Sequence, residues 1–244
     1  MRLHIRLILI FILTFWLPFN VTASDIKHSA IGYPSINPQM VTIDSLGMEV
    51  VVTEYSGSAP FTATFNANAT DTDGWNAYYE WRIMKENDPA PFLIRYEENT
   101  TVTFNVAGVY SIYLYAVFTQ GNDTVAYTED YWEKENPLRI TISESKLEMP
   151  NAFSPNGDQI NDIYRPKQNA CQSIVEFHAY IFNRWGQKVY EWTDPNGGWD
   201  GKIDGKDAKQ GVYYVLVKAK GADGRVYNIR KDVNLLRGYT ETDH

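Results

Sequence analysis

Residues able to do nucleophilic or acid–base chemistry are few in this sequence. It has one cysteine, Cys171, and four histidines, of which only His178 lies away from the two ends. A cysteine nucleophile needs a base and an orienting partner, and no histidine follows Cys171 at a spacing that suggests one. The motifs GxSxG, HExxH and GxGxxG and the P-loop are absent. We therefore expect a protein that is not an enzyme, with no catalytic residues and with Cys171 packed as a small apolar side chain.

An oxygen-rich stretch is the candidate for a metal site. Residues 156–162 include Asn156, Asp158 and Asp162, side chains of the kind that Ca²⁺ takes among its six to eight oxygen ligands. The spacing is not that of an EF-hand. The alternative is a turn in which Asn and Asp side chains bond to nearby backbone groups. Calcium is the one cofactor that the sequence suggests, and the alternative is that the protein binds none.

The charge distribution bears on partners and on domain organisation. The net charge is −8 and the pI is about 5.0, so nucleic acid is not an expected partner. Residues 25–145 carry 6 Lys and Arg against 17 Asp and Glu, giving −11, whereas residues 146–244 carry 14 against 13, giving +1. This change in surface charge near residue 145 predicts two domains.

The first residues have the pattern of a secretory signal peptide. Two arginines precede an apolar run over residues 7–19, and small residues at 21 and 23 fit a cleavage site after Ala23. The run is shorter than the roughly 20 residues that a membrane-spanning helix needs. We expect residues 1–23 to direct export and to be removed, leaving no transmembrane segment.

Alternating apolar and polar residues predict the elements of a first domain, residues 24–145 with a short extension at 24–40. Period-two alternation is typical of strands with one buried face. The predicted strands cover residues 48–53, 61–65, 78–83, 101–104, 109–115, 124–127 and 138–142. Such a set favours an immunoglobulin-like antiparallel β-sandwich, with Trp81 at the centre of its core.

The same pattern predicts a second antiparallel β-sandwich over residues 146–244, so the fold class is all-β. The predicted strands cover residues 175–182, 187–192, 211–217, 226–230 and 233–237, and a polar tail follows at 238–244. Gly186 supplies the positive φ that a hairpin turn after Phe182 requires. We expect Trp185, Trp199 and Tyr213 to pack in the core rather than to stack on a sugar or mark a partner site.

Four segments of the first domain resemble a PKD-type domain with an immunoglobulin fold. They are Ala59-Pro60-Phe61, Asp71-Thr72-Asp73-Gly74, Tyr79-Glu80-Trp81 and Gly108-Val109-Tyr110-Ser111-Ile112. The chain departs from the family after Trp81, where Met84-Lys85-Glu86-Asn87-Asp88 replaces a Gly-Asp-Gly turn. The resemblance implies an extracellular spacer or interaction module.

Six motifs in the second domain resemble the gliding-motility-associated C-terminal domain, the type B sorting domain of the type IX secretion system of Bacteroidota. In order they are PNAFSPNGD from Pro150, ND from Asn161, IFNRWG from Ile181, WDG from Trp199, GVYYV from Gly211 and LLR ending at Arg237. The resemblance implies passage through the periplasm, recognition by the outer-membrane translocon, and arrival at the cell surface or outside the cell. Two features depart from the family: Gln159 stands where members usually have glycine, and seven residues follow Arg237.

The resemblance suggests candidate residues for recognition by the translocon. These are Asn183, Arg184, Trp185 and Gly186 in the IFNRWG turn, and Arg237 in the closing motif. For Arg184 the alternative is a structural ion pair with an acidic neighbour. Two functions stay open: an exported protein with a surface interaction module, or a small accessory component of the secretion and gliding machinery that signals to an envelope sensor of a two-component pathway.

Overall fold

The strands follow from the alternation of apolar and polar residues, which buries one face of each strand and leaves the other in water. A computed structural model describes residues 32–238. The predicted signal peptide at residues 1–23 lies outside these residues, as does most of the predicted tail. Within residues 32–238 no helix is long and apolar enough to cross a membrane.

The first half of the described chain forms two packed sheets. Its strands are β1 (Gln39–Ile43), β2 (Glu49–Val52), β3 (Glu54–Gly57), β4 (Phe61–Asn66), β5 (Asn76–Lys85), β6 (Leu93–Arg95), β7 (Asn99–Phe104), β8 (Gly108–Gln120), β9 (Asp123–Tyr127) and β10 (Leu138–Ile142), with one helical turn, α1 (Glu129–Trp132). One sheet has the order β2-β1-β4-β7, and the other has β3-β10-β8-β5-β6 with β9 also paired to β8. All seven predicted strands are present; the strand predicted at 48–53 is β2, and β1, β3 and β6 were not predicted.

The core between these sheets confirms the expectation for Trp81. Its side chain is fully buried and lies 5.7 Å from the ring of Phe65. Its indole N–H donates to the carbonyl of Glu98 at 3.2 Å. The inward residues of β8, such as Ile112 and Leu114, are also fully buried. The prediction of an all-β sandwich is confirmed by this arrangement.

The second half has one large sheet covered by short ribbons and loops. Its strands are β11 (Lys146–Leu147), β12 (Ala152–Phe153), β13 (Cys171–Gln172), β14 (Ile174–Phe182), β15 (Lys188–Trp192), β16 (Lys202–Ile203), β17 (Lys206–Asp207), β18 (Gly211–Gly221) and β19 (Val226–Leu235), with a short 3-10 turn at Gln168–Ala170. The sheet has the order β12-β19-β18-β14-β15, and β11-β13 and β16-β17 are two-stranded. Tyr164, Trp199 and Ala208 from the covering segments pack on it.

The prediction of separate strands at 226–230 and 233–237 was wrong, because β19 is continuous from Val226 to Leu235. The predicted strands left out Lys231 and Asp232, which pair with Val215 and Tyr214 of β18 and so continue the ladder. Nζ of Lys231 donates to the carbonyl of Met149 at 3.0 Å and also contacts the side chain of Asn151, so the ammonium group has partners.

The two cores meet through a small set of buried contacts. Ala222 of the second half is part of the first core, and Val175 packs against it. The amide of Ala107 donates to the carbonyl of Ala222 at 2.9 Å. The amide of Ala59 donates to Oγ of Ser173 at 3.1 Å, and Ser173 is 2% exposed. Backbone groups of the first half are therefore satisfied by the second.

Candidate recognition site

The turn between β14 and β15 is built by two of the predicted residues. Oδ1 of Asn183 accepts the amides of Trp185 and Gln187 at 3.0 and 3.1 Å. The amide of Gly186 donates to the carbonyl of Asn183 at 2.9 Å, and Gly186 has a φ of 79°. Asn183 and Gly186 thus shape the turn, which places the two residues between them at its tip.

Those two residues, Arg184 and Trp185, are displayed to solvent. Trp185 is 75% exposed, so the expectation that it packs in the core was wrong, whereas Trp199 and Tyr213 are buried as expected. The Arg184 guanidinium lies 4.2 Å from the centre of the Trp185 ring. Within residues 32–238 Arg184 forms no ion pair, so cation–π stacking takes the place of the alternative salt bridge. An exposed tryptophan on a rigid turn is a common anchor in protein interfaces.

A groove of about 510 Å³ lies beside this tip. Its lining combines Trp185 with Ile203 and Val212, the last of which is 47% exposed, and with the ammonium-bearing side chains of Lys206 and Lys209. Apolar side chains bordered by cations suit a partner segment that carries both apolar and acidic groups. The groove is open to solvent.

Arg237, the remaining predicted residue, has a structural role next to this groove. Its guanidinium donates to the carbonyls of Ala208 at 2.9 Å, Gly201 at 2.7 Å and Pro155 at 3.3 Å. It also lies 3.5 Å from the carboxylate of Asp207. Since Asp207 and Ala208 also line the groove, Arg237 supports its floor rather than presenting a free charge at its surface.

The backbone conformation and close neighbours of Gly201 explain why the WDG motif has glycine at this position. It has a φ of 77°, and a Cβ there would lie 2.8 Å from the Pro155 ring and 3.3 Å from the Arg237 guanidinium. The motifs that contain Pro155, Gly201 and Arg237 therefore meet at one point in space. In the sequence these motifs are far apart, and nothing in their spacing predicts that they meet.

The oxygen-rich loop directs its carboxylates at its own backbone. Asp162 accepts the amides of Asn156, Gly157 and Gln159, each at 2.8 Å, and the bond from Gly157 is the largest cause that lowers the pKa of this carboxyl. Asp158 accepts the amide of Ile160 at 2.8 Å. These bonds match the turn alternative. No cluster of three or more His, Cys, Asp or Glu suited to a metal occurs in the part of the chain that the structure describes.

Cys171 and His178 lie apart from this site. Cys171 is half-buried, and burial raises the pKa of its thiol, which disfavours the thiolate. His178 stands on the outer face of β14, where Nδ1 is 3.1 Å from the hydroxyl of Tyr180 and Nε2 is 3.6 Å from Glu191. The sequence did not predict this contact among three half-exposed side chains.

Comparison with known proteins identifies the second half. No curated protein matches the chain. The chain is similar to a crystal structure of dimeric latent PorU from Porphyromonas gingivalis, with 12% sequence identity and a TM-score of 0.26. The match covers 84% of this chain and 20% of that one, and a likeness this low informs neither fold nor function. Residues 147–230 match the family model described as the CHU_C Type IX secretion signal domain. This part of the chain is thus similar to the sorting domain that its six motifs predict.

Proposed function

We propose that the type IX secretion system carries this protein across the outer membrane by means of residues 146–244. The observation that carries the proposal is the match of residues 147–230 to the type IX secretion signal family. The predicted signal peptide at residues 1–23 would provide the first step, into the periplasm. The protein then resides at the cell surface or outside the cell.

The first half is the delivered part, and we propose that it acts by binding rather than by catalysis. Its acidic surface, its resemblance to PKD-type modules and the absence of known catalytic motifs from the sequence support this role. The partner would be another molecule at the cell surface. The PKD-type resemblance stays a prediction.

The proposed contact with the translocon is the surface formed by Arg184, Trp185 and the adjoining groove. Trp185 offers a large apolar area that is exposed before binding, so its burial in a partner would stabilise a complex. Asn183 and Gly186 hold the tip in one conformation, and Arg237 supports the floor of the groove. Only Arg184 and Trp185 among the five predicted residues would touch the partner directly.

A fusion experiment tests the sorting proposal. Residues 146–244 are joined behind a signal peptide and a fluorescent protein, and the fusion is expressed in a cell with an active type IX system. We expect fluorescence at the cell surface or in the medium. A fusion retained in the periplasm would contradict the sorting proposal.

The recognition surface is tested by Trp185→Ala in the same fusion. Because Trp185 is exposed, the fold should be unaffected while export falls at least several-fold. The matched control is Val226→Ala, which removes another exposed apolar side chain, 69% exposed, at the start of β19. Equal export of the two variants would exclude Trp185 as the anchor and leave the sorting proposal standing.

A further inference from the structure

One sheet edge in the first half lacks the features that normally prevent an exposed strand from pairing with another chain. Proteins protect exposed edges with charged residues, proline, bulges or very short strands. Among edge strands of four or more residues within residues 32–238, all but one carry a charged side chain: Glu49 in β2, Glu54 in β3, Asp123 in β9, and Lys188 and Glu191 in β15. The exception is β7, Asn-Thr-Thr-Val-Thr-Phe, which has six residues, no charge and no proline.

The outer face of this sheet is ordered into rows, and its one charged residue, Glu49, lies in β2 at the opposite edge. The pairing places Val51, Val41, Thr64 and Thr101 in one row across the four strands of the sheet. The hydroxyls of Thr62 and Thr103 lie 2.8 Å apart, and those of Thr64 and Thr101 lie 2.9 Å apart. At its outer edge β7 has no further strand, so alternate residues turn their backbone N–H and C=O groups away from β4.

We propose that β7 pairs with β7 of a second copy of this chain. A two-fold axis makes the two strands antiparallel and joins the two four-stranded sheets into one continuous sheet. Residues of the same face must stand opposite each other in such a pairing. With the axis at Val102, Thr101 of each copy opposes Thr103 of the other, so the threonine pairs already made between β4 and β7 are repeated across the new interface.

The strand is complementary to itself in the other positions as well. On the inner face Val102 meets its own counterpart, and Thr100 meets Phe104; all three residues are at least nine-tenths buried within their own sandwich. On the outer face Asn99 opposes Asn105. The acidic residue closest to the strand, Glu98, then opposes Val106, and the two copies of Glu98 are separated by about 27 Å along the strands.

The net charge of the first half makes the pairing depend on salt. Two copies with −11 over residues 25–145 repel each other at low ionic strength. The Debye length falls from about 30 Å at 0.01 M salt to about 8 Å at 0.15 M. We therefore expect association to strengthen as salt rises, whereas an interface held by opposite charges would weaken.

Sedimentation equilibrium of the purified chain tests the proposal. The expected mass is that of two copies in the micromolar range at 0.15 M salt, with weaker association at 0.01 M. The variant Thr101→Lys/Thr103→Lys places two pairs of lysines opposite each other and should weaken association at least tenfold. A mass of one copy at every concentration up to about 1 mM would overturn the proposal, as would the opposite salt dependence.

The matched control is Thr62→Lys/Thr64→Lys. It adds the same charge to the direct partners of Thr103 and Thr101, on the same face but one strand inside the edge, and should leave association within about twofold. Equal weakening in both variants would exclude β7 as the interface. If a variant fails to fold, hydrogen exchange of the unmodified chain decides: slower exchange in residues 99–104 at high concentration supports the pairing, and unchanged exchange excludes it. None of these results depends on the proposed sorting function.

Discussion

At the scale of single residues, several side chains in the second half accept hydrogen bonds from the backbone next to them. Asp162 receives three backbone amides, and Asn183 receives two, so each fixes a loop that would otherwise leave donors unpaired. In the same loop as Asp162, the backbone of Gln159 has an unfavourable conformation. It has a φ of 69°, a left-handed conformation that glycine adopts without the clash of a Cβ. Gln159 is also one of the two departures from the family that the second half resembles.

We predict that Gln159→Gly stabilises the protein by about 0.5–1 kcal/mol. The relief of the left-handed backbone, about 1–2 kcal/mol, exceeds the added freedom of glycine in the unfolded chain, about 0.5–1 kcal/mol. The free energy of unfolding in urea measures the change. Gln210→Gly is the control: Gln210 is exposed in a loop without a positive φ, so the same substitution there should destabilise. A loss of stability at residue 159 would show that the backbone is not strained.

At the scale of elements, one side chain connects three of the short segments that cover the large sheet. Arg237, just after β19, reaches carbonyls in the loops that contain Pro155, Gly201 and Ala208. These loops have little regular pairing of their own, and β16-β17 has only two residues in each strand. A planar guanidinium has five donors in a fixed geometry, which allows one residue to connect three loops.

We predict that Arg237→Lys lowers the free energy of unfolding by about 2 kcal/mol. The lysine ammonium keeps the charge but cannot reach three carbonyls in different directions. Arg225→Lys is the control, because Arg225 is exposed in the turn before β19, and its effect should be within about 0.5 kcal/mol. Equal stability of the two variants would mean that the carbonyl contacts contribute nothing measurable.

At the scale of the whole molecule, the two halves share buried groups. The first core includes Ala222, and the amide of Ala59, in a residue only 5% exposed, has its acceptor in Ser173. Ser173 also lies 3.2 Å from the hydroxyl of Ser143. Because an unpaired buried amide is costly, each half depends on the other for part of its stability.

Removing this acceptor should therefore destabilise the molecule. We predict that Ser173→Ala lowers the free energy of unfolding by about 1–3 kcal/mol, since the Ala59 amide loses its partner. Urea denaturation followed by tryptophan fluorescence provides the measurement. Ser111→Ala, on the outer face of β8, is the control and should change stability by less than about 0.5 kcal/mol. If the two variants unfold at the same urea concentration, the junction does not stabilise the protein.

The sequence by itself determined the all-β class, most of the strand positions, the burial of Trp81 and the likeness of residues 147–230 to the type IX secretion signal family. These depend on alternation over a few residues and on motifs that can be read in order. Only the tertiary structure decided that Trp185 is exposed, that β19 is continuous, and that Pro155, Gly201 and Arg237 form one cluster. The physical reason is that exposure and pairing depend on groups far apart in the chain. Trp185 has the same chemistry as Trp199, but the fold places Trp185 at a hairpin tip and buries Trp199 between a covering segment and the large sheet.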